Sequence, residues 1–356
     1  MKALEIKFRK FILNLLLSLT GKKTPENKIP DNPEILVVRL NKIGDALVTT
    51  PLLSLLKSIS GAQLDVLADR KNHFVFRRNQ IVNRVEIFEK GISGFIKTVK
   101  WINSQHYDVM IDAHDDVSTT VSFLVAASNV PHKVALEKEN KKIFNHTVKK
   151  PNPSNTHIVK RIAGIAKIFG IEYDDNELKI AYNPSEESSK IAGEFISANF
   201  QDKKYLLGVN ISAGSDARFW GVENYKNVLA NLELNEEIGI LLLRAPGDSV
   251  KALQISEGKY PVFEDKNFDE FAAMISKLNL LFTPDTSAVH LASAFGVPVF
   301  GLYVHYDTED MIWSPFNTEF DYVLTKEPAL SNISYHIVIK KLNQFIKRVF
   351  NESRNT

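Results

Sequence analysis

Ile35-Leu-Val-Val-Arg-Leu40, then Asn41-Lys-Ile-Gly44, then a helical stretch from Asp45 read as strand, tight turn and helix in immediate succession. The apolar run is short and β-branched, as strands are. The pattern recurs downstream at residues 64–68, 85–88 and 107–112, with intervening stretches mostly long enough for helices. A second series occupies residues 205–211, 239–243, 262–263, 280–283 and 297–303. Strands alternating with helices imply parallel sheets. Two such series in 356 residues predict two doubly wound α/β domains, because single cores stop growing near about 250–300 residues.

The expected boundary lies in Tyr182-Asn-Pro-Ser-Glu-Glu187, where a helix starts behind Ser185 with two acidic residues in its first turn. The chain is thus divided into a basic amphipathic segment with its linker (1–30), an N-terminal Rossmann-like domain (31–184), a C-terminal Rossmann-like domain (185–330) and a final helix with its lead-in (331–356). That helix carries Val338, Leu342, Phe345, Ile346 and Val349 on one face, with Ile337 assigned to the same stripe.

Composition narrows the function. Apolar residues make up 44% and charged residues 24%, which is globular. Forty-four Lys and Arg balance 42 Asp and Glu, leaving +2, so the broad basic footprint of a nucleic-acid binder is missing and no nucleic-acid partner is expected. Zero cysteines exclude disulfides, thiolate metal sites and cysteine nucleophiles. Neither G-x-G-x-x-G nor G-x-x-x-x-G-K-[ST] occurs, which argues against dinucleotide-dependent dehydrogenases and epimerases and against P-loop NTPases. H-E-x-x-H and G-x-S-x-G are missing too.

The first 30 residues hold Lys2, Lys7, Arg9, Lys10, Lys22, Lys23 and Lys28 against Glu5 and Glu26, a net +5. Leu4, Phe8, Phe11, Ile12, Leu15, Leu16 and Leu19 recur at helical spacing beside them. Two readings fit: a helix resting on anionic lipid, or one docked on the protein's own body. A secretory signal fits less well, since Gly21-Lys-Lys-Thr24 offers no small-x-small cleavage pattern. No apolar run reaches the about 18–20 residues of a transmembrane helix.

Two stretches carry chemistry. In Val38-Arg-Leu-Asn-Lys-Ile-Gly-Asp-Ala-Leu-Val-Thr-Thr-Pro51, Gly44 is expected to let the backbone turn sharply and Asp45 to land at the mouth of the sheet, where ligands of open α/β sheets bind. Asp45 as a simple helix cap is the competing reading. In Leu280-Leu-Phe-Thr-Pro-Asp-Thr-Ser-Ala-Val-His-Leu-Ala-Ser-Ala-Phe-Gly-Val-Pro298, a strand runs into Asp285 and Thr286, and a helix opening near Ser287 turns its positive end towards the cleft. Such an end binds phosphate. His290 follows Thr286 by four residues on one helical face.

Both stretches resemble the signatures of glycosyltransferase family 9, the ADP-heptose:lipopolysaccharide heptosyltransferases: V-R-x-x-x-x-G-D, and D-T-x-x-x-H-L-x-A-A-x-G-x-P with Ser293 in place of the first paired alanine. Tyr107-Asp-Val-Met-Ile-Asp112, His157-Ile-Val-Lys-Arg161, and Val209-Asn-Ile-Ser-Ala-Gly-Ser215 with Arg218-Phe-Trp220 extend the similarity, in order, from Ile35 to Asp307. The resemblance implies a GT-B fold, with two Rossmann-like domains facing across a cleft. It implies an inverting, metal-independent transfer of a heptose or related sugar from a nucleotide diphosphate donor, expected to be ADP-heptose, to a lipopolysaccharide core or related glycolipid acceptor, without a cofactor. Asp45 matches the family's general base. Asp285, Thr286, Ser287 and His290 match its donor site, and Arg218 stands where a family lysine contacts phosphate. A leaving diphosphate needs one guanidinium and a helix N-terminus where other enzymes use a metal.

A catalytically inactive relative, holding a nucleotide-sugar or a partner glycosyltransferase at the membrane, is the alternative function. Asp248 in Arg244-Ala-Pro-Gly-Asp248 is either a ribose acceptor or part of an ordinary Pro-Gly turn. Arg70, Lys71, Arg77 and Arg78, with His73, are either an acceptor-binding cluster for an anionic glycolipid or a solvated face. The family's F-G-P-T-D-P is replaced by Tyr303-Val-His-Tyr-Asp-Thr308, and its D-x-Q-G by Asp112-Ala-His-Asp-Asp116. The second resembles a metal site but lacks a third ligand, and no metal is expected. The resemblance places the chain in the cytoplasm, peripheral on the inner face of the membrane where the N-terminal helix touches lipid.

Overall fold

The computed structural model describes residues 28–305 and 307–352. The expected amphipathic segment 1–30 therefore lies almost entirely outside the described residues. Contacts divide the chain into two compact units: one runs to Lys179 and includes Glu309–Trp313, the other holds Ile180–Thr308 and the chain from Ser314. The division falls earlier than the 184/185 boundary read from the sequence, because the segment leading to Ser185 already belongs to the second unit: Tyr182 Oη and the Ser185 N–H and hydroxyl all donate to Asp269.

The first unit's strands are β1 (Glu34–Arg39), β2 (Gln63–Asp69), β3 (Arg84–Phe88), β4 (Val109–Asp112), β5 (His132–Leu136) and β6 (His146–Val148), in the order β3-β2-β1-β4-β5-β6. The second unit's are β7 (Tyr205–Asn210), β8 (Ile238–Leu243), β9 (Val262–Phe263), β10 (Leu280–Pro284), β11 (Val299–Val304) and β12 (Phe320–Thr325), in the order β12-β11-β10-β7-β8-β9. Counted from the start of each unit, both sheets read 3-2-1-4-5-6, the doubly wound order, and neighbouring strands run parallel. The winding reverses between β1 and β4 and between β7 and β10. Ligands of such sheets bind outside the strand ends at that point.

Register sets what meets there. Arg39 lies opposite Ala68 on β2, and Val38 opposite Asp112 on β4, so the carboxyl ends of these three strands are level. From Ile35 to Arg39, β1 is wholly buried, which explains its continuous apolar run. The helix Tyr335–Glu352 buries Val338, Leu342, Phe345, Ile346 and Val349 in the second unit's core, where Phe345 meets Phe300. Ile337 is 52% exposed and stands off that stripe, contrary to the sequence reading. Among the described residues no helix is long and apolar enough to cross a membrane.

Candidate functional site

In the first unit Asp45 is the third residue of a short helix, Ile43–Leu47, whose N-cap is Lys42. The capping role considered for Asp45 is thereby excluded: its carboxylate is held instead by Arg39, with Nη2 2.7 Å from Oδ1. Arg39 Nε also donates to the Asp45 carbonyl at 3.1 Å, and Nη1 to the Ala113 carbonyl at 2.5 Å. A side chain 1% exposed thus ties the end of β1 to the turn after it and to the end of β4. Burial pulls the Arg39 pKa down, while Asp45 first, and Asp112 next, hold it up. Gly44 is not among the residues with positive φ; it lies inside the helix, and the turn needs no special backbone there.

Beneath this corner lies a second buried network. Lys138 Nζ is 2.7 Å from Asp112 Oδ2 and 2.8 Å from the His114 carbonyl. His114 Nδ1 is 2.7 Å from Asp112 Oδ1, and its Nε2 accepts from the Leu40 N–H at 3.1 Å, so Nδ1 carries the proton. Burial alone would raise the Asp112 pKa; the Lys138 ammonium and the His114 hydrogen bond outweigh it and hold the carboxyl well below the usual range. The next residue, Asp115, takes Arg161 Nη1 at 2.8 Å and Lys150 Nζ at 3.1 Å. Arg161 comes from the helix Ile158–Ala163, which His157 caps by accepting from the Val159 N–H. The structure thus makes Asp112, His114 and Asp115 a locked strand end, tied by Lys138, Arg161 and Lys150. Lys138 and Lys150 were not legible as partners, since nothing local links them to β4.

The four cations Arg70, Lys71, Arg77 and Arg78 all stand exposed just after β2, on the other side of β1 from this loop.

In the second unit Thr286 caps the helix Ser287–Phe295, its Oγ1 accepting from the Ala288 N–H at 3.3 Å, and the helix ends at Gly296 with φ of 68°, which only glycine adopts without strain. Arg218 Nη1 is 3.7 Å from Asp285 Oδ2, so a guanidinium and the helix start share one corner at the end of β10. Asn210, the last residue of β7, reaches over with Nδ2 to Thr283 Oγ1 at 2.9 Å and Thr286 Oγ1 at 3.3 Å. His290 sits one turn inside the helix and is only 4% exposed. Asp248, in the turn Pro246–Asp248, accepts from the Ser212 hydroxyl at 2.6 Å and pairs with Lys251 at 2.9 Å. The turn is real, and the carboxylate is anchored at the end of β7 as well. Asn210, Ser212 and Lys251 were not singled out from the sequence; only the β7–β10 pairing shows that Asn210 stands beside the Thr286 cap.

The sequence profile described as Glycosyltransferase family 9 (heptosyltransferase) matches residues 95–342. The lipopolysaccharide core heptosyltransferase OpsX of Haemophilus influenzae is 22% identical over 230 residues, 61% of this chain and 62% of that enzyme, so the match spans less than two thirds of its length. Among solved structures, a glycosyl transferase family 9 protein from Veillonella parvula has a TM-score of 0.77 at 21% identity, covering 93% of this chain and all of that one. The heptosyltransferase WaaC of E. coli with ADP has a TM-score of 0.67 at 20% identity, covering 88% and 97%. The two parallel sheets and these structural neighbours define a GT-B-like α/β fold, and the profile match across most of the chain makes it a member of glycosyltransferase family 9, the heptosyltransferase family.

Proposed function

We propose that the chain transfers a heptose or closely related sugar from a nucleoside diphosphate donor to a lipopolysaccharide core or related glycolipid acceptor. The observation that carries this reading is the matched equipment of the two switch points: a carboxylate held by a buried arginine after β1, and a capped helix start with a guanidinium after β10. In the first unit Asp45 takes the proton of the acceptor hydroxyl as that oxygen bonds to the anomeric carbon. A carboxylate is a weak base for a sugar hydroxyl, so the proton moves late, with C–O bond formation advanced. The bond from the anomeric carbon to the diphosphate breaks on the opposite face, inverting the configuration. In the second unit Arg218 and the N–H groups that open the helix at Ser287 hold the departing diphosphate. Thr286, Asp285 and His290 shape that corner, and Asp248 receives the ribose. ADP in the E. coli relative supports an adenosine diphosphate donor.

The basic, amphipathic N-terminal segment supports work at an anionic membrane surface. Deleting residues 1–28 is expected to release the protein from anionic vesicles; unchanged co-sedimentation would sink that part. Transfer itself is tested with ADP-, UDP- and GDP-linked sugars on heptose-deficient lipopolysaccharide, with and without EDTA. Product of inverted anomeric configuration from an ADP-linked heptose, unaffected by EDTA, is the expected result. Donor binding without turnover would favour the inactive relative instead.

A further inference from the structure

The two halves of the chain carry opposite charge. Residues 1–179 hold 28 Lys and Arg against 19 Asp and Glu, a net +9, while residues 180–356 hold 16 against 23, a net −7. Within the first half the stretch 69–100 alone has eight cations and three acids, a net +5. Folding gathers that charge on one edge. Arg39 lies opposite Ala68, and Asp69 opposite Phe88, so β2 and β3 open on the edge where β1 delivers Asp45. Lys42 after β1, Arg70, Lys71, Arg77 and Arg78 after β2, and Lys90 after β3 all stand exposed along it. Three acids of the same edge are engaged: Asp45 by Arg39 at 2.7 Å, Asp69 by Lys90 at 3.4 Å and Glu89 by Lys97 at 3.2 Å.

The helix Ile92–Ser104 starts from this edge. Gly94, Thr98 and Ile102 are buried, and Phe95, Val99 and Trp101 pack on the first unit's core. Gly94 sets the helix down: a side chain there would run into the Glu89 carbonyl, so its first turn lies flat on the chain before it. The outward face of such a helix is normally polar. Here it carries Ile92, 82% exposed, and one turn on Ile96, 48% exposed, the two large apolar side chains that stand out among the described residues of the first unit. Lys97 and Lys100 are exposed beside them, and lysine stems lie along apolar surface while their ammonium groups reach outward. Isoleucines among cations match the headgroup boundary of an anionic bilayer, which takes up both. The same pairing of basic and apolar residues marks the segment 1–30 of the same half. Val250 and Leu253 make a comparably exposed pair in the second unit, but in the acidic half and next to Asp248.

We infer that the β2–β3 strand-end edge of the first unit is a membrane-docking surface, with Ile92 and Ile96 entering an anionic lipid layer and Lys97 and Lys100 meeting its headgroups. The folded domain then has a lipid contact of its own, separate from the N-terminal segment, and that contact lies on the edge that carries Asp45. The inference rests on the transferase reading only for its purpose, which is to bring that edge to a lipid-borne acceptor.

The chain has no cysteine, so a single introduced one reports a single position. Ile92→Cys, Ile96→Cys and, as a control, Leu253→Cys are labelled in the full chain with an environment-sensitive fluorophore and mixed with vesicles rich in phosphatidylglycerol or made of phosphatidylcholine alone. Labels at 92 and 96 are expected to shift to the blue and to be quenched by acyl-brominated lipid on the anionic vesicles only, and the label at 253 to do neither. Ile92→Ser combined with Ile96→Ser should weaken binding to anionic vesicles at least about tenfold, and Lys97→Gln and Lys100→Gln about fivefold each. These variants should keep full transfer to a delipidated, soluble acceptor and lose transfer to the same acceptor held in vesicles. Labels at 92 and 96 that stay in water while the protein co-sediments, equal quenching at 253, or no binding to anionic vesicles overturns the docking surface; transfer to the soluble acceptor then leaves the transferase reading standing. A blue shift that grows with protein concentration without lipid marks a second copy as the occupant and overturns the lipid assignment. Insertion at 92 and 96 without transfer from any donor overturns the transferase reading and keeps the surface.

Discussion

Arg39 and Asp45 form an ion pair 2.7 Å long in which one partner is wholly inside the protein and the other stands at the strand-end mouth. The geometry makes the arginine a positioning residue: it fixes the direction of a carboxylate while keeping the Ala113 end of β4 in register. Arg39→Met strands the carboxylate and leaves the Ala113 carbonyl without this donor. A loss of about 3–5 kcal/mol in urea unfolding is expected. Arg39→Lys should keep more of the fold yet lose at least about 10²-fold in kcat, because an ammonium cannot serve Asp45 and Ala113 in one fork.

Arg218 and Asp285 make the opposite kind of pair. Both are partly exposed and 3.7 Å apart, so Arg218→Ala should change stability by less than about 1 kcal/mol. Its effect is expected in catalysis, a fall of about 10²–10³ in kcat/KM with the nucleotide-sugar, partly recovered by Arg218→Lys. Steady-state kinetics beside a melting curve separates the two.

Lys138→Met should be costly, about 3–5 kcal/mol, since it leaves the fully buried Asp112 with only His114. The pH dependence gives the sign. In the wild type the Asp112 pKa is depressed, so its contribution is present above the unfolded value near 4 and is lost as pH falls below it. In the variant burial dominates and the pKa rises. The stability gap between wild type and variant, read by thermal unfolding, should therefore be wider at pH 7 than at pH 4.

At the far edge of the same sheet His132 Nδ1 lies 3.0 Å from His146 Nε2. Burial lowers both pKa values, and at His132 the neighbouring His146 lowers it further while Asp108 and the Lys28 backbone oppose. The folded state binds fewer protons than the unfolded chain, so stability falls as pH drops below about 6.5. His146→Gln should flatten the melting temperature between pH 6.5 and 5; an unaltered slope would exclude this pair as its source.

Asp265 lies beyond β9, and burial pushes its carboxyl up to about 6. An acid with a raised folded pKa costs stability as pH climbs through the window between about 4 and 6. Asp265→Asn should remove that cost and stabilise the protein at pH 7 by up to about 1 kcal/mol, the full shift being reduced by solvent at a half-buried site. A variant no more stable than wild type at pH 7 counts against it.

Central strands were the most legible part of the fold. β1, β4, β7, β8 and β10 are buried along nearly their whole length, and continuous apolar runs such as Ile238–Leu243 carry that signal directly. The strands β5, β6 and β12 escaped it. His132–Leu136 begins with His and Lys, His146–Val148 is three residues long, and Phe320–Thr325 lies half exposed at a sheet edge, so none shows a run or a clean alternation. The helix start at Thr286 was legible because capping and a following Gly296 are local chemistry.

Sequence by itself determined the two doubly wound series, the strand-to-helix corners at Asp45 and Thr286, and the family, because each depends on residues close together in the chain. Tertiary structure alone decided which side chains those corners hold. Arg39 reaches Ala113, Lys138 reaches Asp112, and Asn210 reaches Thr286 only because β1 pairs with β4, β4 with β5 and β7 with β10. Local periodicity carries burial and caps; hydrogen bonds between residues some 25 to 75 positions apart exist only once parallel strands bring their ends level.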